Sequence, residues 1–329
     1  VGHPVTEAVT GLDLVALQLA VAEGLRLPLT QDQVRASGHA IEARLYAEDP
    51  DAGWLPRVGT LGAFEFAPSP GLRIDAGVES GSVVGTSFDP MLAKIIAWGP
   101  DRDAARRRLV ASLEEARVLG VQTNQHYLVR TLSHPAFVAG DLTTAFLRDH
   151  VASLAPASHE PLARWALVAA ALLARPAAGP VPGVRLGWQS NPWPEPPLRF
   201  SIGEVIHLIT PTWTPEGVRL WALAWSDADR PPGLPAREGS SLFVQPHDAR
   251  LISAQGEAWR VQMNGHQRTL GVLHCGDTVF VQYRARTVEV RRLPDLPAPT
   301  ADEAEGGLVA PMPGRVVRVL VAPNQVVAH

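Results

Sequence analysis

The sequence predicts an α+β region followed by an antiparallel β-barrel, or curled sheet, wrapped around one helix. Three observations predict it. The first 150 residues interleave helical and strand periodicities. One short, strongly apolar run, Trp165–Ala174, reads as a single buried helix. From Leu198 to Arg292, short β-type runs follow one another, separated by turn signals.

The elements follow in order. Leu12, Val15, Leu19 and Ala22 recur at helical spacing, with Gly24 where a helix stops. His39–Asp49 alternates, with Ile41, Ala43, Leu45 and Ala47 on one side and Glu42, Arg44, Tyr46 and Glu48 on the other. Met91–Trp98 reads as a buried strand. Asp101 is placed to cap a helix running to about Leu119 and ended by Gly120. Asn124 is placed to cap another through His126 to Leu132, and a short helix is expected near Thr144–Arg148. Val151–Pro161 reads as a linker. After the apolar run, Pro176–Pro197 is proline-rich and expected to be irregular. Strands are expected at Leu198–Ile209, Val218–Trp225, Leu242–Val244, Trp259–Met263, Arg268–Leu273 and Thr278–Val290, with Asn264-Gly265 as a hairpin turn. Pro294–Gly307 reads as a second linker, and 308–329 as the start of a further β-rich unit. The expected domains are 1–150, 158–293, the linker 294–307, and 308–329.

Composition narrows the function. Across 329 residues, 46% hydrophobic and 19% charged content is that of a globular protein. A net charge of −4 argues against nucleic acid or an anionic membrane surface as partner. The Trp165–Ala174 run is about half the roughly 20 residues a membrane helix needs. The lone cysteine, Cys275, leaves no internal disulfide and no cysteine-based zinc site, and gives no redox signal. No metal site is expected. Lys94 is the only lysine among 29 basic residues. It lies in an apolar run where its stem can snorkel, and is assigned no chemistry. The text begins in mid-motif at Val1 and ends in an unclosed alternation, Arg315–His329, which predicts a fragment truncated at both ends.

Three segments carry a resemblance. The first comprises His3-Pro4-Val5-Thr6-Glu7, Gly11 and Asp13, Gly38–Arg44, Ala47-Glu48-Asp49-Pro50, Phe88–Ile96 and Thr123-Asn124. It resembles the C-terminal lobe of biotin carboxylase, an ATP-grasp enzyme. The second, Ala310-Pro311-Met312-Pro313-Gly314, resembles the opening of a biotinyl carrier domain. The helix-plus-barrel region between them is similar to the linker domain of acyl-CoA carboxylase α subunits, most like the 3-methylcrotonyl-CoA type, with Trp188 and Asn191-Pro192-Trp193 as supports.

The resemblance implies a ligase. In that family ATP and bicarbonate give carboxyphosphate, which carboxylates N1 of biotin, and the carrier moves to a carboxyltransferase β subunit that carboxylates an acyl-CoA. The implied cofactors are biotin, ATP and Mg. None is expected to be bound by this fragment, because the ATP-binding parts would lie upstream and the biotin-accepting lysine downstream. The implied partners are the carboxyltransferase β subunit and a second copy through the carboxylase domain, and the implied compartment is the cytoplasm.

Arg44 matches the family arginine that stabilises the ureido oxygen and contacts bicarbonate. A guanidinium suits this because its charge persists and its fork is planar. From the residues alone, Arg44 reads first as a salt-bridge partner of Glu42 or Glu48, since most strand arginines are solvated or paired. Val1 matches a position whose backbone N–H faces bicarbonate. Asp89 matches an aspartate able to orient the arginine, or is simply a turn residue before Pro90. Glu42 joins Asp89 in supporting Arg44. His3 reads as a packing or capping residue. Gly2 stands where the family has a glutamate as general base, and brings no proton acceptor.

An acetyl-, propionyl- or geranyl-CoA carboxylase subunit is an alternative reading. Another is a non-catalytic module docking the α subunit on the β subunit. An unrelated all-β protein with a helical cap explains the middle of the chain but not the ordered motifs.

Overall fold

A computed structural model describes residues 2–154, 160–175, 197–214, 217–222 and 247–294. Val1, Trp188, the Asn191–Trp193 turn, the expected strand at Leu242–Val244 and the 308–329 unit lie outside the described residues.

The first lobe opens with α1 (His3–Thr10) and α2 (Leu14–Ala22). Gly11, at φ 71°, stops α1 in the left-handed region that glycine tolerates. The Asp13 carboxylate caps α2 by accepting the Ala16 N–H at 2.8 Å. The expected helix is present, but it buries none of its side chains.

A three-stranded antiparallel sheet follows, ordered β1 (His39–Tyr46), β8 (Met91–Gly99) and β6 (Leu72–Ala76). The alternation read in β1 is the one observed. Ala43 and Leu45 face the core, and Arg44 faces out. Three short pairs border the sheet: β2 (Glu48–Asp49) with β3 (Leu55–Pro56), β4 (Gly59–Thr60) with β7 (Val83–Val84), and β5 (Ala63–Glu65) with β9 (Arg117–Leu119).

Across the sheet lies α3 (Arg102–Glu115), capped by Asp101 and burying Ala105, Leu109 and Leu113. This helix ends at Glu115, short of the expected Leu119. Val118 and Leu119 are fully buried as strand β9, which pairs with β5. Their burial against a strand outweighs helical continuation. α4 (Gln125–Ser133), α5 (Pro135–Ala139), α6 (Phe146–Asp149) and α7 (Val151–Leu154) complete the lobe. The stretch read as a linker from Val151 therefore begins as helix. Leu154 is buried there, and Arg130 donates to the Ser153 carbonyl at 2.9 Å. Residues 155–159 of that stretch are not described.

The second unit is a closed barrel around α8 (Glu160–Leu173). Its strands are β10 (Leu198–Ile202), β11 (Val205–Trp213), β12 (Val218–Ala222), β13 (His247–Gln255), β14 (Ala258–Met263), β15 (His266–Cys275), β16 (Thr278–Tyr283) and β17 (Arg286–Arg292), each antiparallel to the next, with β17 returning to β10. Every residue from Trp165 to Ala171 is at most 4% exposed. The alanines in this run let α8 approach the ring closely. Leu198, Phe200, Ile209, Leu220, Val261, Leu270, Val281 and Val290 supply the ring's inner wall.

Two expected strands each prove to be two. A turn at Gly203 (φ 58°) divides 198–209, and one at Arg284 (φ 55°) divides 278–290. At Asn264-Gly265 both residues have positive φ (49° and 82°), the geometry of the expected two-residue hairpin. β13 was not expected from the sequence. A bulge between Leu251 and Ser253 breaks its alternation, and Leu251 and Ile252 are both exposed.

Lobe and barrel are joined through buried contacts. Ala63 and Leu119 of the lobe pack with Phe280 and Leu273 of the barrel. A Cβ on Gly62 would lie 2.3 Å from a methyl of Leu273. Gln282, 3% exposed, accepts the Val118 N–H at 3.2 Å and donates at 3.1 Å to both the Ala116 carbonyl and the Gln125 side-chain oxygen. Gln125 in turn donates to the carbonyls of Leu113 and Ala116. Replacing Gln282 with leucine keeps the volume but leaves the Val118 N–H unpaired. The expected cost is about 1–3 kcal/mol, measured by urea unfolding. An unchanged midpoint would show that the clasp adds nothing to stability.

Candidate functional site

The register of the three-stranded sheet sets the site. On its polar face Arg44 pairs with Lys94, and Lys94 with Asp75, across β1, β8 and β6. In the neighbouring row Glu42 pairs with Ile96, and Ile96 with Arg73. Residues 44 and 42, two apart on β1, share a face because side chains alternate along a strand.

Arg44 Nε donates to Glu42 Oε1 at 3.0 Å. The Glu42 side chain is 11% exposed, and that of Arg44 is 56% exposed. The carboxylate is thus set in the sheet face while the guanidinium reaches outward. Hydrogen bonds from Arg44 to Glu42, and then to Tyr46, raise its pKa further above its ordinary value, so the group stays cationic.

The backbone beneath is clipped from behind. Asn124, read from the sequence as a helix cap, makes no side-chain cap bond to α4. Its Oδ1 accepts the Tyr46 N–H at 3.0 Å, and its Nδ2 donates to the Arg44 carbonyl at 3.2 Å.

The start of α1 lies over the same face. A Cβ built on Gly2 would sit 3.3 Å from Glu42 Oε2, so the residue before His3 is beside the Glu42–Arg44 pair. Gly2 itself has an ordinary extended backbone, φ −82° and ψ 153°. His3 Nε2 is 3.1 Å from Glu7 Oε1, which fits a packing role.

Glu7 is the hub of this region. It accepts Arg73 Nη1 at 2.7 Å and the Leu14 N–H at 2.7 Å, while Arg73 also donates to Asp75 at 2.8 Å. The Arg73 hydrogen bond holds Glu7 below its ordinary value of 4.5, against burial and with help from the Leu14 N–H and His3. A carboxylate with a depressed folded pKa adds stability that is present above its unfolded value and lost as pH falls through the folded value. Glu7→Gln is therefore expected to flatten the decline of stability below about pH 4.5, read from denaturation midpoints across that range. A variant that still shows the full acid decline would contradict this.

Of the residues singled out from the sequence, Arg44, Glu42, Gly2 and His3 come together on one face. Val1 is outside the described residues. Asp89 is exposed, and its Oδ1 accepts the Met91 N–H at 2.8 Å, the turn role. Its charge is felt by Glu48, whose pKa burial raises first and Asp89 second. Lys94 was assigned no chemistry, yet register places it opposite Arg44. Tyr46 and Asn124 were also missed as neighbours of Arg44. The signals available were the alternation of β1 and the Thr123-Asn124 pair. Among the described residues no group of three or more His, Cys, Asp or Glu converges to hold a metal ion, and no single helix is long and apolar enough to cross a membrane.

Comparison with known proteins matches residues 42–149 to the biotin carboxylase C-terminal domain. The chain is 44% identical over 168 residues to the mitochondrial methylcrotonoyl-CoA carboxylase subunit alpha of Dictyostelium discoideum, covering 50% of this chain and 24% of that protein. It is 43% identical over 151 residues to biotin carboxylase 2 of Bacillus subtilis, covering 46% and 34%. Among solved structures, a complete multifunctional pyruvate carboxylase from Rhizobium etli aligns at TM-score 0.49 and 31% identity, covering 53% of this chain and 17% of that one. The chain spans about a quarter to a third of the length of these two curated relatives.

Proposed function

We propose, from the premise that residues 42–149 form a biotin carboxylase C-terminal domain, that the chain belongs to the α subunit of a biotin-dependent acyl-CoA carboxylase, a ligase using biotin, ATP, Mg and bicarbonate. The observation that carries this reading is the Arg44 arrangement: an outward, permanently charged guanidinium on a backbone pinned by Asn124.

This donor fits biotin's ureido carbonyl. Biotin, when bound, supplies the ureido nitrogen that takes up the carboxyl group. Arg44 meets the negative charge that builds on the ureido oxygen, and Glu42 fixes the angle at which its fork is presented. Preorganised donors of this kind act because they need no rearrangement as charge develops. Bicarbonate falls within reach of the same cation. Gly2 contributes no base, and Glu42 is the carboxylate beside it. Asp89 supports the turn before β8 by accepting the Met91 N–H.

The acyl-CoA we favour is 3-methylcrotonyl-CoA, on the likeness to the Dictyostelium subunit. A docking role for the barrel, on the carboxyltransferase β subunit, is supported by a different observation. Among the described residues α8 packs against the inner wall of the ring, which leaves the outer surface to meet a partner. A second copy of the chain is the proposed partner of the carboxylase lobe.

The test is reconstitution with the full-length protein. Biotin- and bicarbonate-dependent ATP cleavage is expected. With the β subunit added, 3-methylcrotonyl-CoA is expected to be used in preference to propionyl-CoA. Absence of biotin-stimulated cleavage would overturn the ligase reading, and failure to retain the β subunit in a pull-down would overturn the docking role.

A further inference from the structure

Lys94 lies in the central strand of the three-stranded sheet. Register sets it directly opposite Arg44 of β1 on one side and Asp75 of β6 on the other. Side chains directly opposite on antiparallel strands share a face, with Cβ atoms about 4.5–5.5 Å apart. Its neighbours Ala93 and Ile95 are buried in the core cluster, while Lys94 itself is half-buried.

Like charges placed directly opposite one another destabilise a sheet. A carboxylate between them would relieve the repulsion, but the carboxylates of this face are committed elsewhere. Glu42 accepts Arg44 Nε at 3.0 Å, and Arg73 donates to Asp75 at 2.8 Å and to Glu7 at 2.7 Å. Among the described residues no hydrogen bond or ion pair engages the Lys94 ammonium. The rest of β8 is Met-Leu-Ala before it and Ile-Ile-Ala-Trp-Gly after it. An apolar residue at 94 would serve such a strand as well and would remove the repulsion. The cation therefore has no structural partner here, and it stands beside the guanidinium that carries the ligase reading.

We propose that Lys94 is the second cation of the Arg44 site: its ammonium holds the carboxyl group under transfer while Arg44 meets the ureido oxygen. The inference rests on the ligase reading above. The nitrogen that takes up the carboxyl group is bonded to the ureido carbonyl carbon, so the carboxylate and the ureido oxygen are close neighbours. Two adjacent cations match two adjacent negative oxygens. The planar fork of arginine suits the fixed carbonyl, and the rotatable point charge of lysine suits a carboxylate that turns about its bond to nitrogen. The ligand class is thus a ureido group that bears a carboxylate. A carboxylate alone, or urea alone, engages only one of the two cations.

The full chain offers a direct readout, because Lys94 is its single lysine. Labelling lysine with ¹³C at Cε gives one resonance to follow. The probe is N-carbamoylglycine, a stable molecule with a ureido group and a carboxylate, titrated at constant ionic strength against acetate and urea. A saturable shift is expected with the probe, at least tenfold tighter than with either control, and it should be lost in Arg44→Met. In the full-length enzyme, Lys94→Met is expected to slow biotin-dependent ATP cleavage about tenfold to a hundredfold. Lys94→Arg should recover part of that rate. Lys94→Met should leave the urea unfolding midpoint unchanged or raise it, because the like-charge pair is gone. A lysine resonance indifferent to the probe, one that responds equally to acetate, or a lowered midpoint for Lys94→Met would overturn the proposal. Wild-type enzyme without biotin-stimulated cleavage would remove the ligase reading and this inference with it. Active wild type beside a fully active Lys94→Met would remove this inference alone.

Discussion

Arg44→Met in the full-length enzyme is expected to slow biotin-dependent ATP cleavage about 10²–10³-fold, the range for removing one preorganised donor from a developing oxyanion. The loss should fall on kcat, because the charge that Arg44 meets is greatest in the transition state. Stability should change by less than about 1 kcal/mol, since the Arg44–Glu42 pair is exposed on the arginine side. Arg44→Lys should recover part of the rate, because it keeps a cation without the planar fork. A methionine variant with full activity would leave Arg44 as a surface ion-pair partner and remove the catalytic reading of this face.

The second large effect is structural. Gly120 joins β9 to the segment that leads into α4, at φ 108°. A Cβ there would lie 2.0 Å from the Thr60 carbonyl oxygen and 2.9 Å from the Gly62 nitrogen, both backbone atoms. Gly120→Ala must therefore separate β9 from its neighbours as well as adopt a strained φ. We expect a loss above about 3 kcal/mol, at the severe end of single substitutions. Gly140→Ala is the control. It also has positive φ (81°), but its Cβ would meet nothing within 4 Å, so it should cost about 1–2 kcal/mol, the conformational strain alone. Equal midpoints for the two variants in urea would show that the Thr60 contact yields without cost.

Much of this was legible from local pattern. The alternation of His39–Asp49 placed Arg44 on the outer face of β1, and the Trp165–Ala174 run announced the barrel's central helix. What was missed depends on contacts distant in sequence. Asn124 occupies the N-cap position of α4, and nothing local says that its side chain turns away to β1, 78 residues back. Lys94 sits in an apolar run, and only the register of β8 against β1 sets it opposite Arg44. The end of α3 was overrun because Val118 and Leu119 fit a helix as well as a strand until β5 is known to lie beside them. Gln282 carried no local signal at all, since a single glutamine in an apolar strand becomes a clasp only when Gln125 and Val118 are brought to it.

The barrel's closure has a further consequence. β10 meets β17 through two registered pairs, Phe200 with Arg292 and Ser201 with Arg291, extended by the Leu293 N–H donating to the Arg199 carbonyl at 2.8 Å. A ring conceals all its strand edges while every seam holds. If this short one parts, β10 and β17 each present a row of open amide and carbonyl groups, the template on which another molecule can add a strand. Resistance to aggregation is therefore set at this seam, remote from the polar face that carries Arg44.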